Sequence, residues 1–283
     1  MKPLRYALET VLAYLTYGFF RLLPLEIASD AGGKLVRTMG PCMGISRVAL
    51  RNLDMAFPEK TPDERAQILG GMWENLGRVI AEYPHLRELG PRIELAGGEH
   101  LEKVAREGGP VIFFAGHLAN WELCALTAKM NGVDIHLVYR KPNNPGVDSL
   151  LRHARNSGAK GHIKKGREGA REIVSVLKKK GVIGMLMDQK LNEGLAIPFF
   201  GRPAMTAPAI AQFALRMKCP VYPCRVERLD GCAFRVTILP PLDTTPDGSG
   251  EEATRILTDI NKLLEDWIRE RPEQWLWIHR RWD

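Results

Sequence analysis

The chain opens on residues 4–25, LRYALETVLAYLTYGFFRLLPL, which are mostly apolar and aromatic. Only residues 10–20 run without a charge, between Glu9 and Arg21. At about 1.5 Å per residue they cover roughly 16 Å, near half of a hydrocarbon core. With Arg5, Glu9 and Arg21 at its ends, this helix either spans with tilt or lies in the interface. In the second case Tyr6, Tyr14, Tyr17, Phe19 and Phe20 sit at headgroup depth. A buried first helix is the alternative; a secretory signal behind Lys2 and Arg5 lacks a small-x-small cleavage site. The expectation is a membrane-anchor or interfacial helix over 1–30, ahead of a single domain over 31–283.

Further along, Ile45, Val48, Ala49, Leu53, Ala56 and Phe57 recur at helical spacing, and Pro58 closes that helix. Thr61-Pro62-Asp63-Glu64 reads as a capping box with Pro at the first helical position. The helix it opens carries Ile68, Leu69, Met72, Leu76, Val79, Ile80 and Tyr83 on one stripe.

After Gly108-Gly109-Pro110 the pattern changes. Residues 111–115, VIFFA, form a continuous apolar run of the buried-strand kind. Helix-like 121–130, strand-like 134–139, helix-like 147–156 and 167–180, strand-like 182–187, helix-like 207–217 and strand-like 221–228 follow. This alternation predicts an α/β fold with a mostly parallel central sheet and helices on both faces. Asp230-Gly231 predicts a hairpin, giving an antiparallel edge, and an amphipathic helix over about 251–270 ends before Pro272.

Length and composition agree with one large domain: 283 residues, 45% apolar and 26% charged, exclude a disordered chain or a polytopic membrane protein. Net charge is +7, but its location is more informative. Between Arg140 and Lys180 there are twelve Lys/Arg against Asp148, Glu168 and Glu172, and the rest of the chain is near neutral. One basic segment predicts a defined anionic partner rather than nonspecific nucleic-acid binding, or else a solvated helix face around Lys178, Lys179 and Lys180. Five scattered cysteines without a C-x-x-C pair give neither a disulfide framework nor a zinc knuckle, and point to a reducing compartment.

The stretch that carries chemistry is residues 113–122, FFAGHLANWE. His117 falls in the turn after the buried strand, and Asn120 is placed to cap the next helix. On one continuous helix His117 and Glu122 would lie about 140° apart. They converge if His117 is still in the loop and Glu122 in the first helical turn, where the carboxylate orients an imidazole that acts as base. The site falls at the carboxyl end of a strand, where open α/β sheets bind ligands. The plain alternative is a polar loop histidine with a chance spacing. There is no H-E-x-x-H metal motif, no G-x-S-x-G and no P-loop.

These residues resemble the H-x-x-x-x-D/E block of the lysophospholipid acyltransferase superfamily, in the G-H-x-x-N-W-E form of its bacterial lipid A secondary (late) acyltransferase branch. VALRNLDMAFPE, VYRKPNNPGVD, MLMDQ, IPFFGRPAMTA and PEQWLWIHRRW are similar to further blocks of that branch, so the likeness runs almost end to end. The resemblance implies a His117/Glu122 dyad that activates an acceptor hydroxyl for attack on an acyl thioester. It implies substrate-binding roles for Arg155, counted from Asn144-Pro145 and Asp148, and for Asp188 in the family's D-H/Q block. Arg140 and Asn120 are further candidates. Many branch members carry a second His after that Asp; this chain has Gln189. Gly201 either permits a tight backbone approach beside an acyl groove lined by Phe199 and Phe200, or follows two core residues ending a strand. Trp267, Trp275, Trp277 and Trp282 either ring a membrane interface or pack the tail.

The implied activity is O-acyl transfer from an acyl carrier protein thioester to a hydroxyl of an anionic glycolipid, a lipid A precursor. It needs no metal or organic cofactor and no nucleic acid, and would act at the inner membrane with the catalytic domain on the cytoplasmic side. The same chemistry on a mannosylated phosphoinositide or a lysolipid, a membrane-tethered thioesterase, and a lipid-binding scaffold are the competing readings.

Overall fold

The computed structural model describes residues 2–282. Four helices lead: α1 (Lys2–Arg21), α2 (Leu25–Met39), α3 (Ser46–Ala56) and α4 (Pro62–Glu82). The capping box is formed, with the Thr61 hydroxyl accepting from the Glu64 N–H and the Glu64 carboxylate accepting from the Thr61 N–H. A 3-10 stretch, Tyr83–Arg92, leads to β1 (Ile93–Ala96), α5 (Gly98–Glu107), β2 (Val111–Ala115), α6 (Leu123–Met130) and β3 (Ile135–Tyr139). Then come α7 (Pro145–Arg155), β4 (Ala159–Lys164), α8 (Arg167–Lys178), β5 (Val182–Leu186), β6 (Lys190–Phe199), β7 (Arg202–Thr206), α9 (Ala209–Met217), β8 (Val221–Asp230), β9 (Ala233–Ile238) and α10 (Glu252–Glu270).

Seven strands form one sheet in the order β1-β9-β8-β2-β5-β3-β4. The five from β8 to β4 run parallel. The β2 side chains alternate between two cores, as strand geometry requires. Val111, Phe113 and Ala115 join the cluster with Leu101, Val104, Leu123 and Leu126 of α5 and α6. Ile112 and Phe114 join the opposite cluster, with residues of α8, α9, α10 and the tail. Both faces are therefore covered by helices.

One expectation needs correction, and two features add to the picture. The hairpin at Asp230-Gly231 is present, but β9 is not an edge: β1, which the hydrophobic pattern did not reveal, pairs parallel to it outside. Four residues with one exposed and three half-buried side chains are too short for a period to emerge. A separate antiparallel pair, β6 with β7, was also not foreseen. Of the two readings of the tail tryptophans the structure has the packing one: Trp267, Trp275, Trp277 and Trp282 are all buried. Trp267 stacks on Phe114, while the other three pack with Phe57, Phe199 and Phe200, Trp275 and Trp277 meeting edge to face at 4.6 Å.

At the amino end, no described helix is long and apolar enough to cross a membrane. Helix α1 is nonetheless two-sided. Phe20 is buried, while Leu4, Leu8, Leu12, Leu15 and Phe19 are more than half exposed. Its inner side is tied down by Thr10 Oγ1 donating to Asn144 Oδ1 at 2.9 Å. Next to it, α2 and α4 approach so closely that a Cβ on Gly77 would lie 2.2 Å from the Gly32 carbonyl oxygen, so glycine is required there.

Candidate active site

Strand β2 delivers the first functional side chain. It ends at Ala115, directly opposite Leu186 at the end of the parallel neighbour β5. Two residues further on each strand stand His117 and Asp188, so the sheet register brings them to the same place. The Asp188 carboxylate, fully buried, accepts three N–H groups: His117 Nδ1, the His117 backbone N and Trp275 Nε1, each at 2.8 Å. Burial alone would raise the Asp188 pKa, but the charge of His117 and its two N–H donors outweigh it and hold the carboxyl well below the ordinary Asp value. A carboxylate on Nδ1 fixes the tautomer in which Nε2 carries a lone pair, which is the requirement for a general base.

The carboxyl-terminal tail completes the loop around His117. Leu276 N donates to the His117 carbonyl at 3.2 Å and Ala119 N to the Gln274 carbonyl at 2.9 Å. His279 brings a second imidazole whose centroid is 5.4 Å from that of His117. Burial, and then the charge of His117, push its pKa down to about 4. Gln189 Nε2 lies 2.9 Å from His279 Nε2 and 3.5 Å from His117 Nε2.

Glu122 does not orient the imidazole, contrary to the dyad expected from spacing; no hydrogen bond or ion pair joins it to His117 among the described residues. The Arg155 guanidinium holds it instead, Nε at 2.9 and 3.0 Å and Nη2 at 2.7 Å, with Tyr83 Oη donating at 2.7 Å and Trp121 Nε1 at 3.0 Å. Burial raises the Glu122 pKa, but Arg155, together with the hydrogen bonds from Tyr83 and Trp121, more than reverses this, so the carboxyl is held below its ordinary value. Burial and the negative charge of Glu122 push the Tyr83 phenol well up. Glu122 immediately precedes α6, and its side chain enters the interior between Tyr83 and Arg155. The connection to His117 runs through Trp121, whose ring meets the imidazole edge to face at 5.1 Å.

The other expected positions divide similarly. Arg155 and Asp188, expected to bind substrate, have their polar groups engaged by Glu122, and by His117 and Trp275, respectively. Asn120 is fully buried; its Oδ1 accepts from Glu122 N at 3.3 Å and its Nδ2 donates to Glu82 Oε2 at 2.9 Å. Glu82 is in turn gripped by Arg228 at 2.6 and 3.0 Å, so Asn120 anchors the site turn to a buried ion pair rather than facing substrate. Gly201 and Phe200 form the two-residue turn between β6 and β7 with φ of +68° and +52°. Such a turn requires positive φ, for which Gly is suited; Phe199 and Phe200 are core residues, and Gly201 is exposed at the tip.

Arg140 is exposed, and unlike Gly201 it lies where two hollows meet. One is a basic cleft of about 1000 Å³ lined by Arg47, Arg51, Arg140, Lys190 and Arg280, with Gln189 and His279 in its wall. The other is an apolar groove of about 570 Å³ lined by Val138, Ile173, Met185, Leu186 and Phe213, with Lys164 and Lys165 also along it. Arg140, Gln189, Lys190 and Leu191 line both. Arg47, Arg51, His279 and Arg280 were missed because nothing in their spacing connects them to His117; only the fold gathers them.

A family model described as bacterial lipid A biosynthesis acyltransferase matches residues 2–283. The chain is similar to the lipid A biosynthesis lauroyltransferase of Escherichia coli (strain K12), at 26% identity over 248 residues, 83% of this chain and 78% of that protein. It is similar to the lipid A biosynthesis myristoyltransferase of the same strain at 26% over 249 residues, 82% and 73% of the two chains. Among solved structures, the 1-acyl-sn-glycerophosphate acyltransferase of Thermotoga maritima aligns over 96% of this chain and 99% of that one, with a TM-score of 0.41 and 12% identity.

Proposed function

The chain belongs to the bacterial lipid A biosynthesis acyltransferase family, and from that membership we propose that it moves a fatty acyl group from an acyl carrier protein thioester onto a hydroxyl of an anionic glycolipid, a lipid A precursor. The observation that carries the reading is the position of His117, paired with Asp188, beside Gln189, which lines both an apolar groove and a basic cleft. An acyl chain suits the groove, since burying apolar surface is favourable at about 25 cal/mol per Å². Phosphate groups suit the cleft, where Arg presents two N–H groups to one anion.

His117 Nε2 takes the proton of the acceptor hydroxyl as its oxygen attacks the thioester carbonyl, and returns the proton to the departing sulfur. Asp188 fixes the ring and stabilises the imidazolium that forms. Arg140, Arg47 and Arg280 hold the acceptor's anionic groups, and the basic face around Lys164 and Lys165 receives the acidic carrier. No step calls for a metal or organic cofactor. The exposed Leu4, Leu8, Leu12, Leu15 and Phe19 support an interfacial seat for residues 1–30 on the cytoplasmic leaflet of the inner membrane, with 31–283 as the catalytic body.

The test combines purified protein with acyl carrier protein thioester and a lipid A precursor, followed by mass spectrometry of the lipid. Acyl addition by the wild type and its loss in His117→Ala is the expected result. Full-rate release of free fatty acid without acceptor would identify a thioesterase and reject the transfer reading.

A further inference from the structure

We infer that the Gln189 side-chain amide is a catalytic residue that donates to the oxyanion formed during acyl transfer, and that His279 positions it; the inference rests on the proposed role of His117 as base. Gln189 immediately follows the Asp that holds His117, and its Nε2 lies 2.9 Å from His279 Nε2. An amide nitrogen only donates, so His279 Nε2 accepts one N–H. Burial keeps His279 neutral near pH 7, its pKa being lowered to about 4, and leaves that acceptor intact. The remaining contact of the same nitrogen, 3.5 Å to His117 Nε2, is too long to occupy the second N–H firmly.

That second N–H is therefore fixed in direction and weakly used, beside the base. Gln189 also lines both hollows, so a thioester carbonyl at the mouth of the apolar groove and a hydroxyl entering from the basic cleft meet next to it. As the hydroxyl oxygen bonds to the carbonyl carbon, its proton passes to His117 Nε2 and the carbonyl π pair moves onto oxygen. The resulting oxyanion accepts the Gln189 N–H. When the pair returns, the carbon–sulfur bond breaks and the sulfur takes the proton from His117, giving ester and thiol. A donor held before the reaction stabilises developing charge without reorganisation, which is why such groups contribute strongly to rate.

Gln189→Met keeps the length of the side chain and removes the donor. Steady-state acyl transfer by the full chain should show kcat lower by about 10²–10³, with KM for thioester and acceptor changed by less than about threefold, since the lost contact belongs to the transition state. Gln189→His restores a donor and should recover about tenfold or more of the loss, a result that a merely structural role would not give. His279→Phe should slow the enzyme but add nothing to Gln189→Met in the double variant, because it acts through the amide. Wild-type kcat in folded Gln189→Met, or no recovery in Gln189→His, overturns the inference while leaving acyl transfer standing as long as His117→Ala is silent. A wild-type protein that transfers no acyl group overturns both.

Discussion

Two buried carboxylates stand at the two ends of the ring pair of His117 and Trp121, Asp188 on the imidazole and Glu122 on the indole, and they have opposite employment. Asp188 accepts three N–H groups, one from an imidazole whose other nitrogen is directed toward Gln189 and the cleft. Glu122 is closed in an ion pair with Arg155 and a hydrogen bond from Tyr83. Both carboxyls are held below their ordinary pKa, by His117 in one case and by Arg155 in the other. A charged, buried carboxylate thus has no fixed meaning. What faces it decides: a titratable ring beside a hollow supports proton transfer, whereas a permanently charged guanidinium supports architecture.

The most severe test of the contrast is Asp188→Asn. The amide would turn a donor toward N–H groups that need an acceptor and favour the wrong His117 tautomer, so kcat should fall by about 10²–10⁴. Near-normal turnover would remove Asp188 from the mechanism. Glu122→Ala should act first on folding, since leaving Arg155 buried without its partner costs about 3–5 kcal/mol, read as a lower urea midpoint. The double variant Glu122→Leu/Arg155→Met should regain most of that stability and retain turnover within about tenfold. If it folds and is silent while Asp188→Asn is active, the two carboxylates have been assigned the wrong way round.

Acid titration sharpens the comparison further. Because both carboxyls are depressed in the folded protein, their stabilisation is fully present above the unfolded-state values of about 4. It is lost as pH falls below that toward the folded-state values. Urea unfolding at pH 7, 5 and 3.5 should therefore show a steep loss only at the last step, shallower in the Glu122→Leu/Arg155→Met variant. The smallest effect is expected at the cleft rim. Arg47→Ala should raise KM for the anionic acceptor by up to about fivefold, an exposed charge contributing about 0.2–1 kcal/mol. That difference should shrink in salt, the screening length being about 10 Å at 0.1 M.

Periodicity and turn chemistry alone were enough to identify the α/β class, the buried strand 111–115, the capping box at Thr61 and most helices. Each is a local property, carried by side-chain alternation or by residues within one turn. The same applies to His117, which any chain entering a loop from a buried strand would present at the sheet end. Which acid met His117 was not local. Glu122 lies near it in sequence and Asp188 far from it, yet the parallel register of β2 and β5 sets Asp188 beside the ring, while the turn at Asn120 and the start of α6 turn Glu122 inward to Arg155. Likewise, the burial of the tail tryptophans, the covering of β9 by β1 and the gathering of Arg47, His279 and Arg280 depended on packing between distant segments. Spacing along the chain determines neighbours only within an element; across elements the closing of the sheet and its two cores determines them, and the acid on the imidazole was settled there.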